Sequence, residues 1–108
     1  MKKISILYPN RPNSKFDFGY YIETHMPRSI QLLSSHPGFK GVSVERGIGG
    51  AIPGKEATYI AMCHFLFDSL ESFMEAIAPY EAELQGDIPN YTDIEPVVQL
   101  NEVLIHQQ

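Results

Sequence analysis

Short apolar runs of strand length alternate along the chain with longer stretches whose apolar residues recur at helical spacing. Lys3 to Tyr8 mix β-branched and aromatic residues and stop at Pro9-Asn10-Arg11-Pro12-Asn13, a dense cluster of turn formers, so they predict a strand. Ile4, Ile6 and Tyr8 share one face of it, with Leu7 on the other. A helix is predicted from Asp17, whose carboxylate suits an N-cap because it accepts a bond from an orphan backbone N–H. Phe16 before the cap and Tyr21 at the fourth helical position are spaced to close as a hydrophobic staple. Phe18, Tyr21, Ile22, His25, Ser29 and Leu32 then keep the helical period. Pro27 cannot continue an unbroken ladder, so the helix is expected to kink near Thr24 or to restart with Pro27 in its first turn. It should end before His36-Pro37-Gly38.

Phe39 to Ile48 predict a second strand, with Val42, Val44 and Arg46 on one face and Ser43 and Glu45 on the other. A glycine-rich connection, Gly47 to Gly54, separates it from Thr58 to Phe67. That run is almost continuously apolar and reads as a central strand buried on both faces. Asp68-Ser69-Leu70-Glu71 has a capping-box pattern in which Glu71 reaches back to the cap. Leu70, Phe73, Met74 and Ile77 are expected on the inner face of this second helix. Pro79 should break or restart it, and Gly86 is a natural stop. A loop over Asp87 to Thr92 leads to a last strand within Glu95 to His106, with Val97, Val98, Leu100, Val103 and Ile105 as its apolar members.

The order strand, helix, strand, strand, helix, strand contains two strand–helix–strand units. With right-handed crossovers these give an α+β, ferredoxin-like βαββαβ fold: a four-stranded antiparallel sheet with two helices on one face. A third strand apolar on both faces would leave a hydrophobic patch on the open side of that sheet. A homodimer covering the patch is the economical expectation.

At 108 residues the chain is expected to form one domain, residues 1–108. Its net charge of −5, without any run of Lys or Arg, argues against a phosphate backbone or an anionic membrane surface as partner. The lone Cys63 rules out an internal disulfide and lies in an apolar run, where cysteine acts as a small hydrophobe. The apolar run after Lys2-Lys3 is too short for a signal-peptide core, and no stretch has the length of a membrane span. A cytoplasmic location is therefore expected.

Polar residues that interrupt apolar patterns are the candidates for chemistry, because a buried polar group without a partner costs free energy. His25 lies one helical turn after Tyr21, on the same face. Its imidazole titrates near neutrality and suits a general base or acid. The alternative is a histidine that satisfies a backbone carbonyl near the Pro27 break. His64, on a strand face with Ile60 and Met62, is expected in an apolar layer as a core or interface residue. A metal site is not expected, since His25 and His64 lack ligand spacing and Cys63 faces away from His64. The many tyrosines offer flat apolar bodies with one hydroxyl, suited either to core packing or to lining a pocket. Tyr8, at a strand end, and Tyr21, beside His25, are the two expected in a cleft. Arg46 is read as an anchor for an acidic ligand or as one half of an interface salt bridge. The glycine-rich stretch lacks the Gly-Lys-Ser/Thr ending of a phosphate loop.

Taken together, Asp17-Phe18 through Tyr21, His25-Met26-Pro27, His64-Phe65-Leu66-Phe67-Asp68-Ser69 and Gly86-Asp87-Ile88-Pro89-Asn90-Tyr91-Thr92 resemble the EthD family, named for ethyl tert-butyl ether degradation. The resemblance spans nearly the whole chain. It implies a dimeric α+β barrel, in which two ferredoxin-like sheets pack face to face. It also implies that His25 and the loop residues Asp87, Asn90 and Tyr91 are pocket elements, whereas Tyr8, His64 and Arg46 rest on the residue pattern alone. Two functions are then weighed. One is a protein that binds a small hydrophobic or aromatic molecule in a cleft between helices and sheet, as an accessory in a degradation pathway. The other is a cofactor-independent enzyme, of isomerase or monooxygenase type, in which His25 shuttles a proton and Tyr21 or Tyr8 stabilises an oxyanion. No cofactor is expected in either.

Overall fold

In the computed structural model, which describes residues 1–107, four strands carry two helical units. Strand β1 (Lys2–Pro9) leads to α1 (Phe18–Tyr20), a π-turn over Tyr21–His25, and α2 (Met26–Leu33). Strands β2 (Phe39–Arg46) and β3 (Tyr59–Phe67) follow, then α3 (Leu70–Ile77), a 3-10 turn over Ala78–Tyr80, α4 (Glu81–Asp87), a second 3-10 turn over Ile88–Asn90, and β4 (Val97–Glu102). The strand order is β2-β3-β1-β4, antiparallel throughout, which is the ferredoxin-like arrangement. Among the described residues, no helix is long and apolar enough to cross a membrane.

Local chemistry sets the start of the first helical unit. The Asp17 carboxylate accepts from the Tyr20 backbone N–H at 3.1 Å, and the Phe16 and Tyr21 rings close on one another with centroids 4.9 Å apart. At Pro27 the missing N–H is absorbed without breaking the rod. The chain widens by one residue into the π-turn, where the Met26 N–H reaches the Tyr21 carbonyl, and Pro27 falls in the first turn of α2. Ser29 Oγ donates to the His25 carbonyl at 2.9 Å, so the histidine side chain is not needed to satisfy the backbone there.

The core lies between the helices and one sheet face. Ile4 and Tyr8 of β1 and Ala61, Cys63, Phe65 and Phe67 of β3 point into it, meeting Tyr21, Met26 and Leu33. On the opposite face β3 stays mainly apolar, but in the single subunit that face is half-buried rather than buried. Met62, His64 and Leu66 are half-buried there, and a polar row crosses the sheet. Ser5 Oγ bonds His64 Nδ1 at 2.7 Å, Asn101 Nδ2 donates to Ser5 Oγ at 3.0 Å, and Gln99 Nε2 donates to Asn101 at 2.7 Å. Glu45 Oε1 sits 3.4 Å from His64 Nε2, at ion-pair distance but not aligned for a hydrogen bond, so this buried oxygen lacks a hydrogen-bond partner. An apolar run seen alone hides such a row, because its members arrive from four different strands.

Other boundaries move for equally local reasons. Ser69, not Asp68, caps α3: its Oγ accepts from Ser72 N at 3.1 Å, which makes Ser72 rather than Glu71 the third helical residue. Asp68 is held one step earlier, its N–H donating to the Gly38 carbonyl at 2.9 Å. Phe73 and Ala76 form the buried stripe of α3, while Met74 is 51% exposed. Gly86 lies inside α4 rather than ending it, and its backbone is not left-handed. Strand β2 stops at Arg46, and Ile105 lies beyond β4 at 86% exposure.

Asp17→Ala should lower the unfolding free energy by about 1 kcal/mol, because one orphan donor of α1 loses its partner. The readout is a lower denaturant midpoint at unchanged slope, with Asp17→Asn retaining most of the stability. An alanine variant with the wild-type midpoint would remove the cap from this account.

Candidate functional site

Between the helical units and the sheet lies a cavity of about 660 Å³. Its floor includes Ile4, Ile6, Cys63 and Phe65, and α2 and α3 contribute Met26, Leu33 and Phe73. Met74, Val98 and Leu100, all about half exposed, rim it where the helices stand off β4. Volume and apolar lining both fall in the range of small-molecule sites.

His25, the last residue of the π-turn, lines this cavity and is 7% exposed. Its Nδ1 lies 2.9 Å from Asp87 Oδ2, at the end of α4. Asp87 Oδ1 accepts from the Tyr20 hydroxyl at 2.6 Å and from Asn90 Nδ2 at 2.9 Å. Burial alone would raise the Asp87 carboxyl, but these donors outweigh it and hold its pKa below the ordinary 3.8. An ionised carboxylate only accepts, so Nδ1 carries the hydrogen and a neutral ring presents its lone pair at Nε2. Among the described residues Nε2 makes no hydrogen bond.

Two aromatic rings, themselves 5.1 Å apart, pack against the imidazole. Tyr21 stacks on it at 5.9 Å between centroids and 13° between planes, and Tyr91 packs at 4.6 Å. The Tyr91 and Tyr8 hydroxyls share a hydrogen bond of 2.6 Å. Burial pushes the Tyr8 pKa up to about 12 and raises Tyr21 and Tyr91 further, so all three stay protonated near neutrality and remain donors. The Tyr21 hydroxyl is sealed from water and has no partner, a donor that no protein group uses. Burial likewise lifts the Cys63 thiol to about 12, so at the cavity floor it is a neutral hydrophobe.

The structure thus brings together Tyr8, Tyr21, His25, Asp87, Asn90 and Tyr91 from four separate segments. Arg46 stands apart: its guanidinium lies 4.5 Å over the Phe18 ring and does not line the cavity, so it anchors nothing there. His64 is on the opposite sheet face, bonded to Ser5. Tyr20 is the site residue that sequence reasoning passed over; as one tyrosine among six it carries no distinguishing signal until Asp87 is placed beside it. Among the described residues, no three His, Cys, Asp or Glu side chains converge to hold a metal ion.

The family model of the EthD domain matches residues 13–95. An EthD-like protein from Ralstonia eutropha JMP134 is similar in structure, with a TM-score of 0.90 at 39% identity, over 98% of this chain and 94% of that one. An ethyl tert-butyl ether degradation (EthD) family protein from Bacillus halodurans C-125 superposes with a TM-score of 0.63 at 24% identity, over 96% and 99%. A cofactor-independent oxygenase from Streptomyces nogalater gives 0.57 at 13% identity, over 97% and 93%, a likeness of fold alone. No curated protein sequence matches the chain.

Because the Asp87 pKa is lowered by folding, its contribution to stability is complete above the unfolded value near 3.8 and is lost as pH falls through the folded one. Acid titration should therefore destabilise the wild type more steeply below about pH 4 than Asp87→Asn. Parallel acid-unfolding curves for the two proteins would remove Asp87 from the list of groups that matter.

Proposed function

Because the chain belongs to the EthD family, we propose that it binds a small hydrophobic or aromatic molecule in the helix–sheet cavity and that His25 exchanges a proton with it there. One observation carries the reading: Asp87 occupies Nδ1 of His25, while Nε2 has no hydrogen-bond partner among the described residues and the histidine lines a largely apolar cavity. A histidine that served packing alone would have no need of an ionised carboxylate that itself accepts from Tyr20 and Asn90. The chemistry this supports is removal and return of a proton at a carbon next to a carbonyl, or at a phenol. For a tyrosine hydroxyl to reach an oxygen that gains charge, the sealed Tyr21 has to turn toward the cavity or Tyr8 has to give up its bond to Tyr91. Accessory binding without turnover is the coarser form of the same proposal and requires only the cavity. A role in ether degradation rests on the family name.

A second copy of the chain is proposed as partner. The apolar residues that folding leaves outside the core support it: Val97, Leu104 and Ile105 are 48%, 85% and 86% exposed along the C-terminal edge. Leu7, Met62 and Leu66 flank the polar row on the open sheet face and would be covered by the same pairing. Sedimentation at micromolar concentration should give a dimer, and a lone subunit there refutes the pairing.

For the acid–base step, 2-acetylnaphthalene in D₂O is a suitable probe, since its methyl protons sit beside a carbonyl. Wild-type protein should speed deuterium uptake over buffer, as read by NMR. His25→Ala should lose about 100-fold or more of that acceleration. Asp87→Asn should lose most of it too, because an amide donating to Nδ1 moves the ring hydrogen to Nε2. A probe that binds in the cavity with no acceleration reduces the function to binding.

A further inference from the structure

The charges around the cavity select its occupant. Its inner walls, among them Ile4, Leu33, Phe65 and Phe73, are apolar. None of the Lys or Arg residues described lines it: Arg46 is engaged over Phe18, and Arg28 faces a separate groove, paired with Glu83 at 2.8 Å. The charged side chains that do line it are Glu81 and Glu95, both solvent-exposed and therefore at the entrance. At the inner end, the one group able to become cationic is His25, and Asp87 already compensates it.

From this lining we infer that the cavity admits uncharged ligands and rejects carboxylates, with Glu81 and Glu95 as the residues that set this specificity. The inference deepens the binding function proposed above and rests on it. An incoming carboxylate meets two like charges at the entrance and then a site with no free cation, so it would have to shed its water without a partner. An ammonium group passes the entrance more readily but finds only neutral acceptors on the inner walls, His25 and Ser29 among them, and no free carboxylate, since both oxygens of Asp87 are occupied. A neutral ketone, phenol or aromatic hydrocarbon meets neither obstacle. The class that fits is an uncharged apolar molecule carrying at most one or two hydrogen-bonding oxygens.

Three probes of nearly one shape test this by titration at pH 7: 2-acetylnaphthalene, 2-naphthoate and 2-naphthylmethylammonium. The ketone should bind about tenfold or more tightly than either ion. In Glu81→Gln/Glu95→Gln the gap between ketone and naphthoate should shrink about threefold or more. Raised salt should shrink the same gap in the wild type. Equal or tighter binding of naphthoate or of the ammonium probe overturns the inference, as does a gap that the double variant leaves unmoved; either result leaves the binding function standing. Failure of all three probes to bind overturns the binding function itself, and this inference with it.

Discussion

The carboxylate of Asp87 is the joint on which the helical layer turns. It takes three hydrogen bonds, from Tyr20, His25 and Asn90, and those donors come from α1, the π-turn and the loop after α4. Bonds to an ionised acceptor are the stronger kind, and losing the acceptor leaves half-buried donors with nothing to serve. Nearby, the Asp17 N–H donates to the Tyr91 carbonyl at 2.7 Å and Thr92 Oγ1 donates to the Lys15 carbonyl at 2.6 Å. The loop is therefore stitched to the start of the first helical unit at Tyr91 and at Thr92. That stitching holds Tyr91 against His25 and within hydrogen-bond reach of Tyr8.

Each helical unit has to accommodate an internal proline. Pro27 is accommodated by a π-turn, which adds a residue and ends at His25. Pro79 is accommodated differently, by a 3-10 turn from which α4 departs as a separate short helix. The layer covers Tyr21 and stands off β4, whose Val98 and Leu100 remain half exposed on the cavity side.

What the sequence made legible is whatever depends on neighbours within a turn or two. Asp17, the Phe16–Tyr21 staple and the break at Pro27 are local in this sense, and so is the order of elements that leads to the ferredoxin-like sheet. Where two adjacent residues could each cap a helix, as at Asp68 and Ser69, the outcome depended on Gly38, thirty residues away, capturing the Asp68 N–H. Met74 was misread because it sits beside the cavity, where helical period no longer reports burial, and Gly86 because a glycine without left-handed backbone can sit within a helix. Arg46 lies on the face that alternation assigned, but Phe18 claims it before any ligand does. The polar row on the open face was illegible altogether, since Ser5, Asn101 and Gln99 have ordinary surface character until register sets them beside His64.

The two histidines of the sheet and its cover show why geometry, not residue type, carries the functional reading. His64 gives Nδ1 to Ser5 and turns Nε2 toward Glu45, so both nitrogens face protein groups on an open surface. His25 gives up one nitrogen to Asp87, and its other makes no hydrogen bond among the described residues. A histidine of the first kind can tie strands together, but any proton it moves is shared with its neighbours. One of the second kind has its tautomer set by a single carboxylate and its other nitrogen unspent, which is what the proposed proton exchange requires. The shared fold cannot supply that distinction, because fold relatives at 13% identity need not keep either nitrogen free. It depends instead on four side chains that converge only when the loop after α4 folds back onto the π-turn.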